Sequence, residues 1–299
     1  MRRENIFKNE IKWIDCKPSN KNEALEILKE FDFHELDIEW VVQKNQRSRI
    51  DNYKDYSFIV LYFPKYIYTT KKYSLNEFNI FISKKFIITF KGLTTSHIDT
   101  LFKDYENNLD GNISSGTILY EIIENMQEKI FKAIEKIQRD LIEIEEDVFK
   151  SPKTNLLKQI MTKKRNIISL KHSMLPQIST LKQLETKMNT MFQGELEVYF
   201  EDLIDKMEHI VNNVKILEEH IENILDVLKT TLELRTSYII RILTIFSSLM
   251  LPLTLVTSFY GMNIELPFQD SPITIYIVFL ITFLIIFFTL NYVFLRKDK

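Results

Sequence analysis

Tyr260-Gly261-Met262-Asn263 is a polar turn wedged between two long uncharged apolar runs, a position that nominates it as the working part of the chain. Other residues carry the types needed to hold or attract cations. Asp202, Asp205 and His209 stand at steps of three and four, so they share a helix face and resemble transition-metal ligands. Glu143-Ile144-Glu145-Glu146-Asp147 could concentrate cations by electrostatic focusing. A solvated polar face is the plainer reading of both groups. Glu265 and Asp270, in the loop between the two runs, are better placed to attract incoming cations. Enzyme chemistry has no such foothold: the sequence holds no Gly-rich phosphate loop, no His-Glu-x-x-His helix and no nucleophile elbow.

The elements that must position the turn are set by the bilayer. Neither Ile242–Ile264 nor Ser271–Leu295 contains a charged residue, and each has the roughly 20 residues that cross about 30 Å of hydrocarbon. The run Phe279–Phe288 is apolar on nearly every side, unlike the surface helix of a globular protein. Arg235 and Arg241 precede the first run and Arg296, Lys297 and Lys299 follow the second, while the loop between has no Lys or Arg. The positive-inside bias then places both ends in the cytoplasm, the loop outside, and the protein in the cell membrane. The N-terminus has basic residues but no apolar segment of a secretory signal, so roughly 235 residues are expected in the cytosol.

Composition fits that location. One cysteine, Cys16, excludes an internal disulfide framework and a Cys-rich zinc site. The net charge of −2 averages a charged part with an uncharged one, and basic residues are interspersed with acids, which argues against a nucleic-acid partner. Residues 1–112 read as a mixed α+β domain. Strands are expected at 11–14, 58–63, 78–82 and 86–90 from their β-branched and aromatic runs. Helices are expected at 22–31, capped by Ser19 or Asn20, and at 96–105. Ser83-Lys84-Lys85 makes a hairpin-like connection, and Leu109–Gly116 reads as a linker.

Residues 113–236 read as long antiparallel helices forming a coiled-coil stalk. The first carries a seam at Ile130, Ile134, Ile137, Leu141, Ile144 and Val148 and is broken at Ser151-Pro152. The second runs back through Leu156, Ile160, Ile167 and Leu170, with Pro176 predicting a kink or an interruption. A third starts near Leu196, follows Ile204, Met207, Val211, Val214, Leu217, Ile221, Leu225 and Leu228, and has no stop before the membrane. Unbroken to Ser258 it would be about 60 residues, or roughly 90 Å, a mechanical link from the cytosol to the membrane. Residues 237–299 form two transmembrane helices, about 239–259 and 273–295, with an outer loop at 260–272 and a basic tail.

Ile242-Leu243-Thr244, Leu251-Pro252-Leu253-Thr254 and Tyr260-Gly261-Met262-Asn263, followed by Glu265 and Pro267, resemble the CorA family of magnesium transporters. That resemblance implies a funnel-shaped homopentamer whose pore is lined by the first span and whose second span faces lipid. It implies Mg²⁺, with Co²⁺ or Ni²⁺ as further cargo, as both transported and regulatory ion, and no organic cofactor. Gly261, Met262 and Asn263 would form the selectivity mouth, where Asn263 oxygens hydrogen-bond a hydrated ion. Met262 is then expected to pack, a thioether being a poor ligand for a hard cation. Carried over, the pore-lining face is Ser237, Ile240, Leu243, Thr244, Ser247, Leu251 and Thr254, with Ile240, Leu243 and Leu251 as a constriction that gates by dewetting. Ser237 departs from the asparagine usual there. Asp202 and Asp226 fall where the resemblance places regulatory acids, although Phe63–Tyr68 carries no partner carboxylate for Asp202. Alternatives are a zinc or transition-metal transporter of the same superfamily, or a non-conducting membrane-anchored scaffold.

Overall fold

The computed structural model describes residues 2–8, 10–17, 21–43, 47–91, 96–107, 113–150, 154–263 and 272–295. Two compact units divide the chain, Met1–Leu225 and Asp226–Lys299. The first contains a six-stranded sheet: β1 (Arg2–Ile6), β2 (Lys12–Cys16), β3 (Arg49–Asn52), β4 (Ser57–Ile67), β5 (Lys72–Ile82) and β6 (Phe86–Lys91), ordered β1-β2-β6-β5-β4-β3. Only β2 and β6 pair in parallel, Lys12 opposite Phe86 through Cys16 opposite Phe90. Parallel neighbours need a crossover. After β2 the chain passes through α1 (Lys21–Lys29) and α2 (Glu35–Gln43), enters at the far edge as β3, and returns strand by strand to β6.

Both faces of the sheet are covered, which is why β4 reads as the continuous apolar run Phe58-Ile59-Val60-Leu61, all fully buried. Phe58 and Val60 share a core with Leu28 of α1 and Val41 of α2. On α3 (Ser96–Glu106), Phe102 meets the Trp13 ring edge-on at 4.9 Å. The expected strands all form. So does the Ser83–Lys85 connection, with Ile82 opposite Ile87. β1, β3 and α2 were not expected, and β5 begins six residues earlier than its apolar stretch. Ser19 and Asn20, the suggested cap, lie outside the described residues.

Three long helices complete the unit: α4 (Ser115–Lys150), α5 (Thr154–Phe192) and the start of α6 (Glu197–Tyr260). Linker character stops short of Gly116, because α4 begins at Ser115 and the Ser114 hydroxyl caps it, accepting from the Thr117 N–H at 3.0 Å. Gly116 packs so closely that an added Cβ would stand 2.7 Å from the Phe192 ring. The α4 seam is buried as expected. Lys206 reaches Glu124 at 2.7 Å and His220 reaches Glu145 at 3.0 Å, so α4 and α6 run parallel. Lys182–Glu208 at 2.7 Å and Lys164–Glu222 at 3.2 Å set α5 antiparallel to α6.

One expectation for these helices needs correction, and of the two outcomes expected at Pro176 the interruption is excluded. On α6 the buried seam uses Leu203 and Ile224, whereas Ile204 and Leu225 are only half-buried. Pro176 does not interrupt α5. Its neighbours hold the helix in place: Met174 and Gln177 are fully buried, and the Gln177 amide donates to the Tyr62 carbonyl at 2.9 Å and accepts from the Tyr62 N–H at 3.1 Å. Three turns earlier Asn166 does the same to the β4–β5 hairpin, donating to Lys71 O at 3.0 Å and accepting from Tyr73 N–H at 3.2 Å.

The second unit holds the rest of α6 and α7 (Pro272–Leu295). Within α6 an 18-residue window reaches a mean hydropathy of 2.0 with none of it buried, long and apolar enough to cross a membrane. In α7 the corresponding stretch among the described residues is the shorter Ile275–Phe288.

Candidate functional site

α6 carries every position expected to line an ion path. At 100° per residue, Ser237, Ile240, Leu243, Thr244, Ser247, Leu251 and Thr254 fall within an arc of about 120°. All seven are exposed in the single chain. Ile245, Ser248, Leu249, Pro252, Leu253 and Val256 are partly covered, and they fall within an arc of about 140° on the opposite side. Over 245–256 one side of the helix is therefore partly covered by its own chain and the side bearing Ser247, Leu251 and Thr254 is open, whereas residues 232–244, Ser237, Ile240, Leu243 and Thr244 among them, are exposed all round. The seven comprise four hydroxyl residues, Ser237, Thr244, Ser247 and Thr254, and three branched apolar ones, Ile240, Leu243 and Leu251. The Thr244 and Thr254 hydroxyls donate back to Ile240 O and Met250 O, each at 2.8 Å. That satisfies their protons and leaves oxygen lone pairs as acceptors.

The helix ends at Tyr260, and the Gly261 N–H closes it on Thr257 O at 2.9 Å, followed by Met262 N–H to Phe259 O at 3.4 Å. Gly261 is not in the left-handed region; its value is space, since a Cβ would lie 3.1 Å from the Thr257 carbonyl. Met262 is half exposed and Asn263 exposed, so neither packs into its own chain. Glu265, Asp270 and the basic tail lie outside the described residues.

The cytosolic acids are differently placed. Asp202 is bound by Lys206, 2.6 Å away and one turn on, with the Tyr120 hydroxyl at 3.4 Å. Lys206 also holds Glu124, which accepts from Tyr120 at 2.7 Å. Partial burial pulls the Lys206 ammonium down, but its hydrogen bonds to Asp202 and Glu124 outweigh that and raise its pKa. Asp226 is exposed and pairs with Lys229 at 3.3 Å. His209 packs its ring 5.5 Å from that of Phe131. Among the described residues no three His, Cys, Asp or Glu side chains converge to hold a metal ion. A single chain thus offers Mg²⁺ no octahedral oxygen set at Asp202, where an ammonium already lies against the carboxylate. Glu124, Tyr120 and Lys206 were not foreseen as its neighbours; only the Asp202–Lys206 spacing was visible, as an i, i+4 pair.

An α+β domain, a three-helix bundle and a bundle helix that continues into a segment long and apolar enough to cross a membrane define the class of fold. The fold matches the complete CorA magnesium transporter of Methanocaldococcus jannaschii with a TM-score of 0.82 at 17% identity, over 94% of this chain and 90% of that one. It matches full-length CmaX with a TM-score of 0.78 at 16% identity, over 97% and 89%. The cobalt/magnesium transport protein CorA of Thermotoga maritima is 23% identical over 256 residues, 85% of this chain and 73% of that protein. The family model described as CorA-like Mg²⁺ transporter protein matches residues 8–297, and the chain belongs to that family.

Proposed function

We propose that this chain is a subunit of a channel-like homopentamer that carries Mg²⁺, with Co²⁺ or Ni²⁺ as further cargo, across the cell membrane into the cytoplasm. The observation that carries the reading is the open face of α6. Ser247, Leu251 and Thr254 lie along it opposite the side its own chain covers, Ser237, Ile240, Leu243 and Thr244 continue it where the helix is exposed all round, and it leads to the exposed Asn263. Both C-terminal helices span the bilayer in this reading, with the loop outside and both termini in the cytoplasm.

Five Asn263 amides would ring the outer mouth. Their oxygens accept hydrogen bonds from the waters of a hydrated ion, which suits a cation that sheds water reluctantly. Below, the Thr254, Ser247, Thr244 and Ser237 hydroxyls offer successive acceptors, while Leu251, Leu243 and Ile240 narrow the path with apolar surface that closes by dewetting. An inside-negative potential supplies about 4.6 kcal/mol per 100 mV for a divalent ion, enough to drive entry through an open path without a coupled chemical reaction. Asp202 and Asp226 are assigned to control by cytosolic Mg²⁺. Each would need carboxylates from a second copy, and release of bound Mg²⁺ would loosen a closed assembly.

Cysteine scanning tests the face. A positively charged thiol reagent should stop Mg²⁺ influx through Ser247→Cys and Leu251→Cys but leave Ile245→Cys and Leu249→Cys conducting. The native Cys16 is buried and is no target. Equal block at all four positions would remove this face from the ion path.

A further inference from the structure

A cavity of about 500 Å³ opens between β4, β5, α3 and α4, far along the chain from the membrane segment. That volume lies within the range of small-molecule sites, which are mainly apolar with a few placed polar groups. Phe63 and Phe78 of the sheet and Ile122 and Met126 of α4 supply apolar wall. Lys129 of α4 also lines it, and its buried Nζ finds no hydrogen-bond partner among the described residues.

The other charges around the cavity are already engaged. Asp99 holds Arg3 at 2.5 Å, and Glu77 accepts from Tyr62 at 2.9 Å and from Asn79 at 3.0 Å. Lys17 and Lys65 have interactions of their own. Lys136 lies over the Tyr66 ring at 4.6 Å, and Lys132 adds repulsion at Lys129. A buried, unpaired ammonium is costly. Water would satisfy its N–H groups but not its charge, whereas an anion does both.

We propose that this cavity binds a small organic anion, its aromatic or aliphatic body against the apolar wall and its carboxylate or phosphate on Lys129. Such a ligand touches the sheet and α4 together, so it clamps the α+β layer onto the helical bundle. Asn125, one turn before Lys129 on the same helix, also lines the cavity; its amide donates one proton to Glu121 O at 2.9 Å and has a second to offer the anionic group.

The test uses the full chain in lipid nanodiscs and ¹⁹F NMR of 4-(trifluoromethyl)benzoate, with the neutral 4-(trifluoromethyl)benzamide as its isostere and empty nanodiscs as the background. Benzoate should bind the wild type, and Lys129→Met should weaken it about tenfold or more, the cost of losing one charged hydrogen bond. Lys129→Arg should retain it, and the benzamide should bind both variants equally. Burial pushes the Lys129 ammonium down to about 8, so wild-type affinity should fall as pH rises through that value while Lys129→Arg holds. No benzoate signal above empty nanodiscs at about 5 mM, too weak for a built site, would overturn the proposal. Equal affinity in Lys129→Met would overturn it as well.

Discussion

Lys206→Met removes the ammonium that Asp202 and Glu124 share while keeping most of the aliphatic stem. The nitrogen lies 2.6 Å from Asp202 and 2.7 Å from Glu124, with the three side chains 32%, 43% and 28% exposed. Unscreened, each contact would be worth several kcal/mol, but exposure of about a third reduces it to roughly 0.5–1 kcal/mol. The total loss is therefore about 1–2 kcal/mol, or about 3–6 °C in a unit of this size. Because the pKa is raised from 10.5, this stabilisation is fully present below 10.5 and is lost only as pH rises through the folded value, so an assay near neutrality sees all of it. Thermal unfolding of the nanodisc-embedded chain should show the drop. Millimolar MgCl₂ should restore part of it, beyond what KCl of matched ionic strength restores, because two carboxylates then face a vacated cation position. No drop would refute the role given to Lys206, and equal rescue by both salts would refute a latent divalent site at Asp202 and Glu124.

Three further outcomes follow from the packing. Gly116→Ala gains helix propensity but drives a Cβ to 2.7 Å from Phe192, so overpacking of about 1–3 kcal/mol wins and the unfolding midpoint falls; a rise would show that Leu196 and Phe192 yield freely. Asp37 is fully buried, and burial raises its carboxyl against the lowering effect of the Tyr56 and Tyr53 hydrogen bonds. Its contribution to stability is full below the ordinary 3.8 and lost as pH rises through the folded value, so Asp37→Asn should flatten the stability profile over that window, as pH-dependent denaturation would reveal. Neutralising Asp202 and Asp226 together should leave Mg²⁺ influx less inhibited by internal Mg²⁺; unchanged inhibition would remove both from control.

Local pattern made some of this protein legible in sequence. β4, β5 and β6 announce themselves because a sheet covered on both faces demands unbroken β-branched and aromatic runs, and the α4 seam follows helical spacing alone. β1, Arg2-Arg3-Glu4-Asn5-Ile6, does not, since it is an edge strand whose charges discourage pairing with other chains. Its arginines are used at long range, Arg3 reaching Asp15 and Asp99. Nine-residue α2 is equally silent, because buried Asp37 accepts from Tyr53 at 2.9 Å and Tyr56 at 2.8 Å, partners 16 and 19 residues on that no helical spacing announces. Helix continuity through Pro176 depends on Gln177 meeting a strand 115 residues away. The same contrast holds at the site. The α6 positions are carried over from the family resemblance and their helical spacing only groups them on one side, whereas the Lys206–Glu124 contact and the Lys129 cavity exist only once α3, α4, α6 and the sheet are assembled.

Influx of Mg²⁺ into liposomes holding a magnesium-sensitive dye tests the central claim most directly, comparing the wild type with Asn263→Ala. Asn263→Ala removes the amide oxygens assigned to the mouth without touching the α6 face, so in this account the wild type should conduct and the variant should lose most of its influx. Equal influx from both would contradict the mouth assignment, and no influx from the wild type would contradict transport itself.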